Sequence, residues 1–355
     1  MKFKINRNIL DNILTTIQPF LDKKDDSNIT SHIYIKLEDN TLTFIATDYE
    51  IYLSKNIDIS FASENGEATI NGKNFLNIIK RLNENEISIE TIKTNIKIKQ
   101  NRSNFVLPMY DSSDFPILKD DTNTKKLNIN SIYLINSLIK IIPSIDTNNP
   151  KYTLNGALID IKSNKINFVS TDTKRLSIIK MENMSNDEKQ IIIPKKAIEQ
   201  ITKLFLDNMD IYCDNTNLKI VTKDTYFNTK LISGDYASYE RIIPDNFKYT
   251  IKLNKAMLIE SIKLITILNN EIKIEFSNNE IVFNSIDDNN KSQTKLDINL
   301  NIDENFYIAA NSRYILDFLS VSSNEEVNIC FNESNLPFML KDEKLKTIIM
   351  PLMID

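Results

Sequence analysis

The stretch Phe3-Lys4-Ile5-Asn6-Arg7-Asn8-Ile9-Leu10, continued by Ile13, Leu14 and Ile17, opens a pattern that occurs three times. At a spacing of 124 residues the chain reads Leu127-Asn128-Ile129-Asn130, followed by Leu134, Leu138 and Ile141; a further 124 on, it reads Ile251-Lys252-Leu253-Asn254, followed by Leu258, Ile262 and Ile265. Each copy alternates apolar and polar residues for four positions, then places apolar residues at i, i+4 and i+7. That is a short strand running into an amphipathic helix. Thr43-Phe44-Ile45-Ala46-Thr47-Asp48 likewise returns as Asn167-Phe168-Val169-Ser170-Thr171-Asp172. The third version, Val282-Phe283-Asn284-Ser285-Ile286-Asp287, comes early and implies a shorter loop after the helix near Leu268. A second helix is expected at Lys73 to Leu82, Lys195 to Leu204 and, less regularly, Asn311 to Leu319. Alternating runs such as Ile87-Ser88-Ile89 and Ile96-Lys97-Ile98 lie between.

Each copy therefore holds two helices and about eight strands. Because the strands come in consecutive runs, the sheets should be mainly antiparallel and the class α+β, three tandem copies of one domain. Polar stretches from Lys119 to Lys125 and from Pro244 to Lys248 place the boundaries, giving domains 1–123, 124–247 and 248–355. These linkers are short, so the copies should join edge to edge. Asp287 to Lys291 reads as a polar loop.

Scarcity excludes most chemistry. Among 355 residues there are 4 glycines, 1 histidine, 2 cysteines and no tryptophan. Scattered glycines build neither a phosphate-cradling loop nor a dinucleotide turn. His32 with Cys213 and Cys330, far apart in the chain, is too small a ligand set for zinc. His32 lies in a strand-like Ser31-His32-Ile33-Tyr34-Ile35 run and reads as a structural residue, and both cysteines read as buried free thiols. Asp48, Asp172 and Asp287 could form a metal or acid–base cluster, but equivalent places in separate copies do not converge. An Asp after Thr in a strand-end turn is more simply a local hydrogen-bonding residue. No catalytic residue, metal or cofactor is expected. No apolar run approaches a membrane span, and no leader with a cleavage site is visible at the start, so the expected location is the cytoplasm.

The formal net charge of −5 argues against a protein that coats nucleic acid. Over the six helical windows (7–24, 73–82, 130–141, 195–204, 255–268 and 311–319), however, there are thirteen basic residues against five acidic, a net +8 that leaves −13 for the rest. Lys and Arg are good helix formers and often simply solvate exposed faces. Tandem copies repeat an orientation, though, and a shared basic helical face would suit a polyanion through Lys73, Lys80, Arg81, Lys195, Lys196 and Lys203.

Seven segments then match a known family in order: Ala46-Thr47-Asp48, Asp114-Phe115-Pro116, Tyr152-Thr153-Leu154-Asn155-Gly156, Ser170-Thr171-Asp172-Thr173-Lys174-Arg175-Leu176, Ile193-Pro194-Lys195-Lys196, Tyr239-Glu240-Arg241-Ile242-Ile243-Pro244 and Met350-Pro351-Leu352-Met353-Ile354. On these the chain resembles the bacterial DNA polymerase III beta subunits, the sliding clamps, over essentially its whole length. The resemblance implies a head-to-tail homodimer closed into a ring that encircles duplex DNA, slides without sequence preference and tethers the replicative polymerase. DNA contacts would come from Lys23, Lys24, Lys73, Lys80, Arg81, Lys151, Tyr152, Lys195, Lys196 and Lys203. Ring closure would bring Phe105 and Leu107 against Ile267 and Leu268. Carried over residue by residue, a pocket for partner peptides would be lined by Leu154, Thr171, Thr173, Arg175, Leu176, Arg241, Ile242, Asn311, Tyr314, Pro337, Ile348, Met350, Pro351 and Leu352. Expected partners are double-stranded DNA, a second copy, a clamp loader, the polymerase and other clamp-binding proteins, with no membrane.

The sequence departs from the family pattern in three places. Thr173-Lys174 stands where Gly-His is frequent, Ala237 where a proline is usual, and the terminus is Met350-Pro351-Leu352-Met353-Ile354 with Asp355 added. Two alternatives stand beside this reading. One is a clamp-like scaffold that binds peptides without encircling DNA; in the other, the run from Met350 to Ile354 merely completes an edge strand.

Overall fold

The computed structural model describes all residues except 119–123, 184–187, 268, 287–290, 301, 303 and 355. Among the described residues six α-helices form: α1 Arg7–Ile17, α2 Gly72–Arg81, α3 Ser131–Ile141, α4 Lys195–Leu204, α5 Lys255–Ile265 and α6 Ser312–Val321. Every strand pairing among the described residues is antiparallel.

The repeat is visible in how helices begin. Asn6 and Asn254, at equivalent positions, cap α1 and α5 by accepting from the backbone N–H of Asn8 and Met257, satisfying donors that have no partner in the helix. The next residue in each copy reaches to the end of that copy's second helix or just beyond it. Arg7 donates to the carbonyls of Ile79 and Lys80 (2.9 Å each), Ser131 Oγ to Met209 O (3.0 Å) and Lys255 Nζ to Ser322 O (2.7 Å). At the ends of α2 and α6 a cation thus meets orphan carbonyls at the negative pole.

Two helices are shorter than their apolar pattern. The pattern of α1 runs on through Phe20 and Leu21, but Pro19 converts Gln18–Phe20 to a 3-10 turn, because proline removes a donor and crowds the preceding turn. Lys23 and Lys24, expected on a helix, therefore lie in the loop beyond. Helix α5 ends at Ile265, leaving Ile267 outside it. Leu268 lies outside the described residues, as do the Lys119 to Asn123 part of the first boundary and Asp287 to Asn290 of the polar loop.

The chain folds into two compact units, Met1–Ser131 with Lys203–Leu231, and Ile132–Thr202 with Ile232–Asp355. In the first, a five-stranded sheet runs in the order Ala62–Glu64, Lys2–Asn6, Glu86–Ile92, Asn95–Gln100, Ser103–Pro108. An eight-stranded sheet joins middle-copy strands to first-copy strands where Thr225–Lys230 pairs with Ile51–Asp58. In the second unit another eight-stranded sheet joins middle to third copy where Arg175–Glu182 pairs with Leu345–Ile349. Its four-stranded sheet runs Gln293–Asp297, Glu280–Ser285, Glu271–Phe276, Phe306–Asn311. The expected edge-to-edge joining is thus made by these two strand pairs, each inside one unit.

His32 is buried at the start of its strand and stacks on Tyr110 at 4.2 Å between ring centres. Burial pushes its pKa down to about 4. Both cysteines are buried and stand outside any disulfide among the described residues.

Candidate functional site

The six helices carry eleven basic and four acidic residues. Several of the positive charges are used within the fold. Besides Arg7 and Lys255, Lys195 donates from Nζ to Ile145 O and Thr147 Oγ1, both at 2.9 Å. Its ammonium is thus engaged with that loop. Lys80, Arg81, Lys196 and Lys203 are exposed on α2 and α4. Lys73 is exposed and 3.5 Å from Asp26. Lys23 and Lys24 are exposed in their loop, and Lys151 and Tyr152 at a one-turn helix, with Tyr152 64% exposed.

Phe105 and Leu107 lie on Ser103–Pro108, an edge strand of the five-stranded sheet. They line a shallow cleft beside Ile78 and Arg81 of α2. Ile267 is 78% exposed just past α5.

The best-defined constellation is in the second unit, at the turn from Lys165–Thr171 to Arg175–Glu182. Asp172 Oδ1 accepts from the backbone N–H of Lys174 (3.1 Å) and Arg175 (2.9 Å), and Thr171 Oγ1 donates to Arg175 O (2.6 Å). The turn forces Thr173 to φ +73°, a left-handed conformation that a β-branched residue resists. Arg175, 7% exposed, projects from the turn. Its Nε donates to Asp172 Oδ2 (3.0 Å), Nη1 to Asp317 Oδ2 (2.7 Å) and Nη2 to the Pro143 carbonyl, while the guanidinium lies 4.5 Å from the centre of the Tyr314 ring. Burial, then the charge of Asp172, raises the Tyr314 pKa.

The C-terminal segment runs past this turn. The strand Leu345–Ile349 registers Ile348 opposite Leu176 and Ile349 opposite Arg175. The chain then leaves strand geometry: Met350 N–H donates to Lys174 O (2.9 Å) and Leu352 N–H to Ala309 O (2.8 Å). The structure thus brings Thr171, Thr173, Arg175, Leu176, Tyr314, Ile348 and Met350 into one neighbourhood. Leu176 and Ile348 share a buried cluster with Tyr239, so they underlie the surface rather than forming it. Ile242 and Met350, each 43% exposed, are the accessible apolar groups. Leu154 is buried in the Tyr152–Asn155 one-turn helix, Asn311 caps α6, and Pro337, Pro351 and Leu352 are half-buried.

Arg241 and Ile242 sit on the 3-10 turn Tyr239–Ile242, pinned by a network that the sequence reading missed. Tyr239 OH donates to Asp160 Oδ2 at 2.6 Å and accepts from Asn167 Nδ2 at 2.8 Å; Gln190 also donates to Asp160 (2.9 Å), and Lys162 lies 3.4 Å away. Burial opposes ionisation of Asp160, but the bonds from Tyr239 and Gln190 and the Lys162 charge hold its pKa below the ordinary value. Asp317 was missed as well, for it lies 142 residues from Arg175.

The repeated aspartates serve turns. Asp48 Oδ1 accepts from Glu50 and Ile51 N–H, both at 3.0 Å, as Asp172 does in its own copy; Asp287 lies outside the described residues. No group of three His, Cys, Asp or Glu side chains that could hold a metal occurs among the described residues.

Profiles for the DNA polymerase III beta subunit match the chain in order, the N-terminal domain at residues 1–119, the central domain at 128–238 and the C-terminal domain at 240–353. The beta sliding clamp of Helicobacter pylori J99 is 33% identical over 373 residues, covering 99% of this chain and 100% of that protein. The Haemophilus influenzae beta sliding clamp is 26% identical, again over 99% and 100%. Among solved structures, the Helicobacter pylori beta clamp bound to a DNA ligase peptide superposes with a TM-score of 0.93 at 34% identity, over 99% of this chain and all of that one. The Pseudomonas aeruginosa DNA polymerase III subunit beta shares the fold at TM-score 0.90 and 22% identity, over all of both chains.

Proposed function

The chain belongs to the DNA polymerase III beta-subunit family, and on that premise we propose that it acts as a sliding clamp, an accessory replication factor with three domains at 1–123, 124–247 and 248–355. Two copies close head to tail around duplex DNA, with no catalytic step, cofactor or metal of their own, and work in the cytoplasm. The observation that carries this reading is the ordered tiling of all three family domains along one chain.

The division of labour follows from chemistry. Enclosure needs no base contacts, so exposed cations such as Lys80, Arg81, Lys196 and Lys203 act on phosphate without reading sequence. Ser103–Pro108 and Gln293–Asp297 are edge strands of their sheets. Pairing them between copies removes two open edges, with Phe105 and Leu107 meeting Ile267. A head-to-tail contact that closes after a fixed rotation makes a ring.

Partner peptides enter beside Arg175, between Ile242 on its pinned turn and Met350 on the C-terminal segment. That the Helicobacter pylori relative was crystallised with a DNA ligase peptide supports peptide binding. A linear peptide with a Gln and two apolar anchors should bind with micromolar affinity, near ~8 kcal/mol, since ordering opposes a few anchors.

The decisive assay is retention on nicked circular DNA. Loaded protein should stay on the circle and be lost when the DNA is linearised, because only enclosure depends on ends. Equal retention on both forms would leave a scaffold that does not encircle. Deleting Met350 to Asp355 should abolish peptide binding and polymerase stimulation while leaving retention intact.

A further inference from the structure

On the eight-stranded sheet of the second unit, cross-strand register arranges two neighbouring rows on one face. The first row is Thr171, Leu176, Ile348, Met339, Cys330 and Thr250. Leu176, Ile348, Met339 and Cys330 of this row belong to a buried apolar cluster that includes Tyr239 and on which Ile243 and Phe247 pack. The second row, two residues along each strand and so about 6.7 Å away, places Lys346 directly opposite Lys341 and Lys341 opposite Asn328. Lys180, two positions beyond Ile178, which pairs with Lys346, adds a third cation.

Lys341 and Lys346 face a cleft of about 290 Å³ whose walls include Phe247, Met339, Thr250 and Asn328. Like charges directly opposite in a sheet are destabilising. Neither Lys341 nor Lys346 has a carboxylate within ion-pair distance among the described residues. Asp245, which also lines the cleft, forms no ion pair with them. The next lysine of the row, Lys252, by contrast is paired with Glu326. Burial first, then the charges of Lys341 and Lys180, lowers the pKa of Lys346, as expected of a cation desolvated beside like charges.

We propose that this lysine-rimmed cleft is an accessory subsite that takes a carboxylate side chain of the same partner peptides whose apolar anchors enter beside Arg175. The inference rests on the clamp reading of that pocket. It is carried by charge complementarity and by the continuity of the two rows, since Leu176 and Ile348, beneath the pocket, are immediate neighbours of Ile178 and Lys346. Thr250 and Asn328 add hydrogen-bonding groups, and Phe247 and Met339 an apolar wall for the methylenes of Glu. The selected feature is an acidic residue within a few positions of the anchors.

Fluorescence anisotropy tests this with three synthetic peptides: anchors alone, anchors with two Asp on the N-terminal side, and anchors with two Asp on the C-terminal side. Each is titrated against the parent and a Lys341→Gln/Lys346→Gln variant. One extension should bind the parent about three- to tenfold tighter at low salt, the scale of one or two exposed ion pairs. The variant should lose that gain and hold the anchor peptide as before. It should also fold at least as well, since a like-charge pair is removed. No gain from either extension, or a gain that survives in the variant, overturns the proposal. If the anchor peptide fails to bind at all, the pocket reading falls. The cleft is then judged on the acidic peptides alone: variant-sensitive binding supports it and no binding overturns it. Loss of duplex-DNA affinity in the variant with no effect of the acidic extensions would make the cleft a nucleic-acid surface and the proposal wrong.

Discussion

Replacing Arg175 by Lys keeps the charge and removes the fork. The guanidinium meets three acceptors in three directions: Asp172 Oδ2 at 3.0 Å, Asp317 Oδ2 at 2.7 Å and the Pro143 carbonyl. An ammonium on a flexible stem can satisfy one of these well. Hydrogen bonds to charged groups are worth about 1.5–3 kcal/mol. The side chains of Asp172 and Asp317 are 17% and 29% exposed, so water recovers part of the loss and the low end applies. Two bonds lost then cost about 3 kcal/mol in total, which lowers the melting transition of a unit this size by about 6–12 °C. The Tyr314 ring also loses its planar cation, and the peptide should bind about tenfold more weakly, within the range for a partly desolvated cation–π contact. Scanning calorimetry and peptide anisotropy read the two effects separately. A melting temperature within 1–2 °C of the parent, on the order of 0.5 kcal/mol, together with unchanged affinity, would show that the Arg175 network organises neither the fold nor the pocket.

Thr173→Gly should stabilise the protein by up to about 1 kcal/mol, because the left-handed penalty removed exceeds the entropy added; a lower denaturation midpoint would contradict a strained turn. His32 remains neutral down to about pH 4 in the fold but titrates near 6.5 when unfolded. Its stabilising contribution is therefore complete above pH 6.5 and lost as pH falls toward 4, by about 3 kcal/mol; His32→Phe should flatten urea-midpoint profiles over that window, and an unflattened profile would count against a buried neutral imidazole. Changing Lys80, Arg81, Lys196 and Lys203 to Glu should weaken DNA association whatever the sequence and reduce its salt dependence, with melting nearly unchanged; parental loading would mean these helices do not face DNA. Ile267→Ala with Phe105→Ala should give monomers in sedimentation at concentrations where the parent is dimeric, and an unchanged dimer would refute the closure surface.

Much of the fold was legible because the 124-residue spacing repeats physical roles as well as letters. Asn6 and Asn254 cap, while Arg7, Ser131 and Lys255 reach the ends of neighbouring elements. Helix ends were less legible, since apolar periodicity carries Phe20 and Leu21 past the proline that stops α1. Charge counts identified basic helices but not their availability: the carbonyl that engages Lys195 lies 50 residues away. Motif residues drew attention to Leu176 and Met350, yet only the tertiary structure separates a buried floor residue from an accessible one. Asp317 and Asp160, which hold the site in shape, lie in no motif.

Among the described residues, the turn bearing Arg175 has an equivalent in the first copy. In the first copy Thr47 Oγ1 donates to Ile51 O and accepts from Tyr49 N–H, Asp48 Oδ1 accepts from two backbone N–H groups, and Tyr49 lies at φ +71°. In the second, Thr171, Asp172 and Thr173 repeat these bonds and the backbone angle at φ +73°. The frameworks match; the side chain they present does not. Ile51 is 2% exposed and adds to an apolar core, whereas Arg175 at the equivalent place gathers Asp172, Asp317, Pro143 and Tyr314. A repeat that supplies one rigid turn several times can therefore acquire a binding site by altering a single projecting residue in one copy, together with the long-range partners that satisfy its charge. In the first copy the same turn presents Ile51 to the core. The Thr-Asp framework thus serves the fold in both places, and the residue at position 51 or 175 decides what each turn presents.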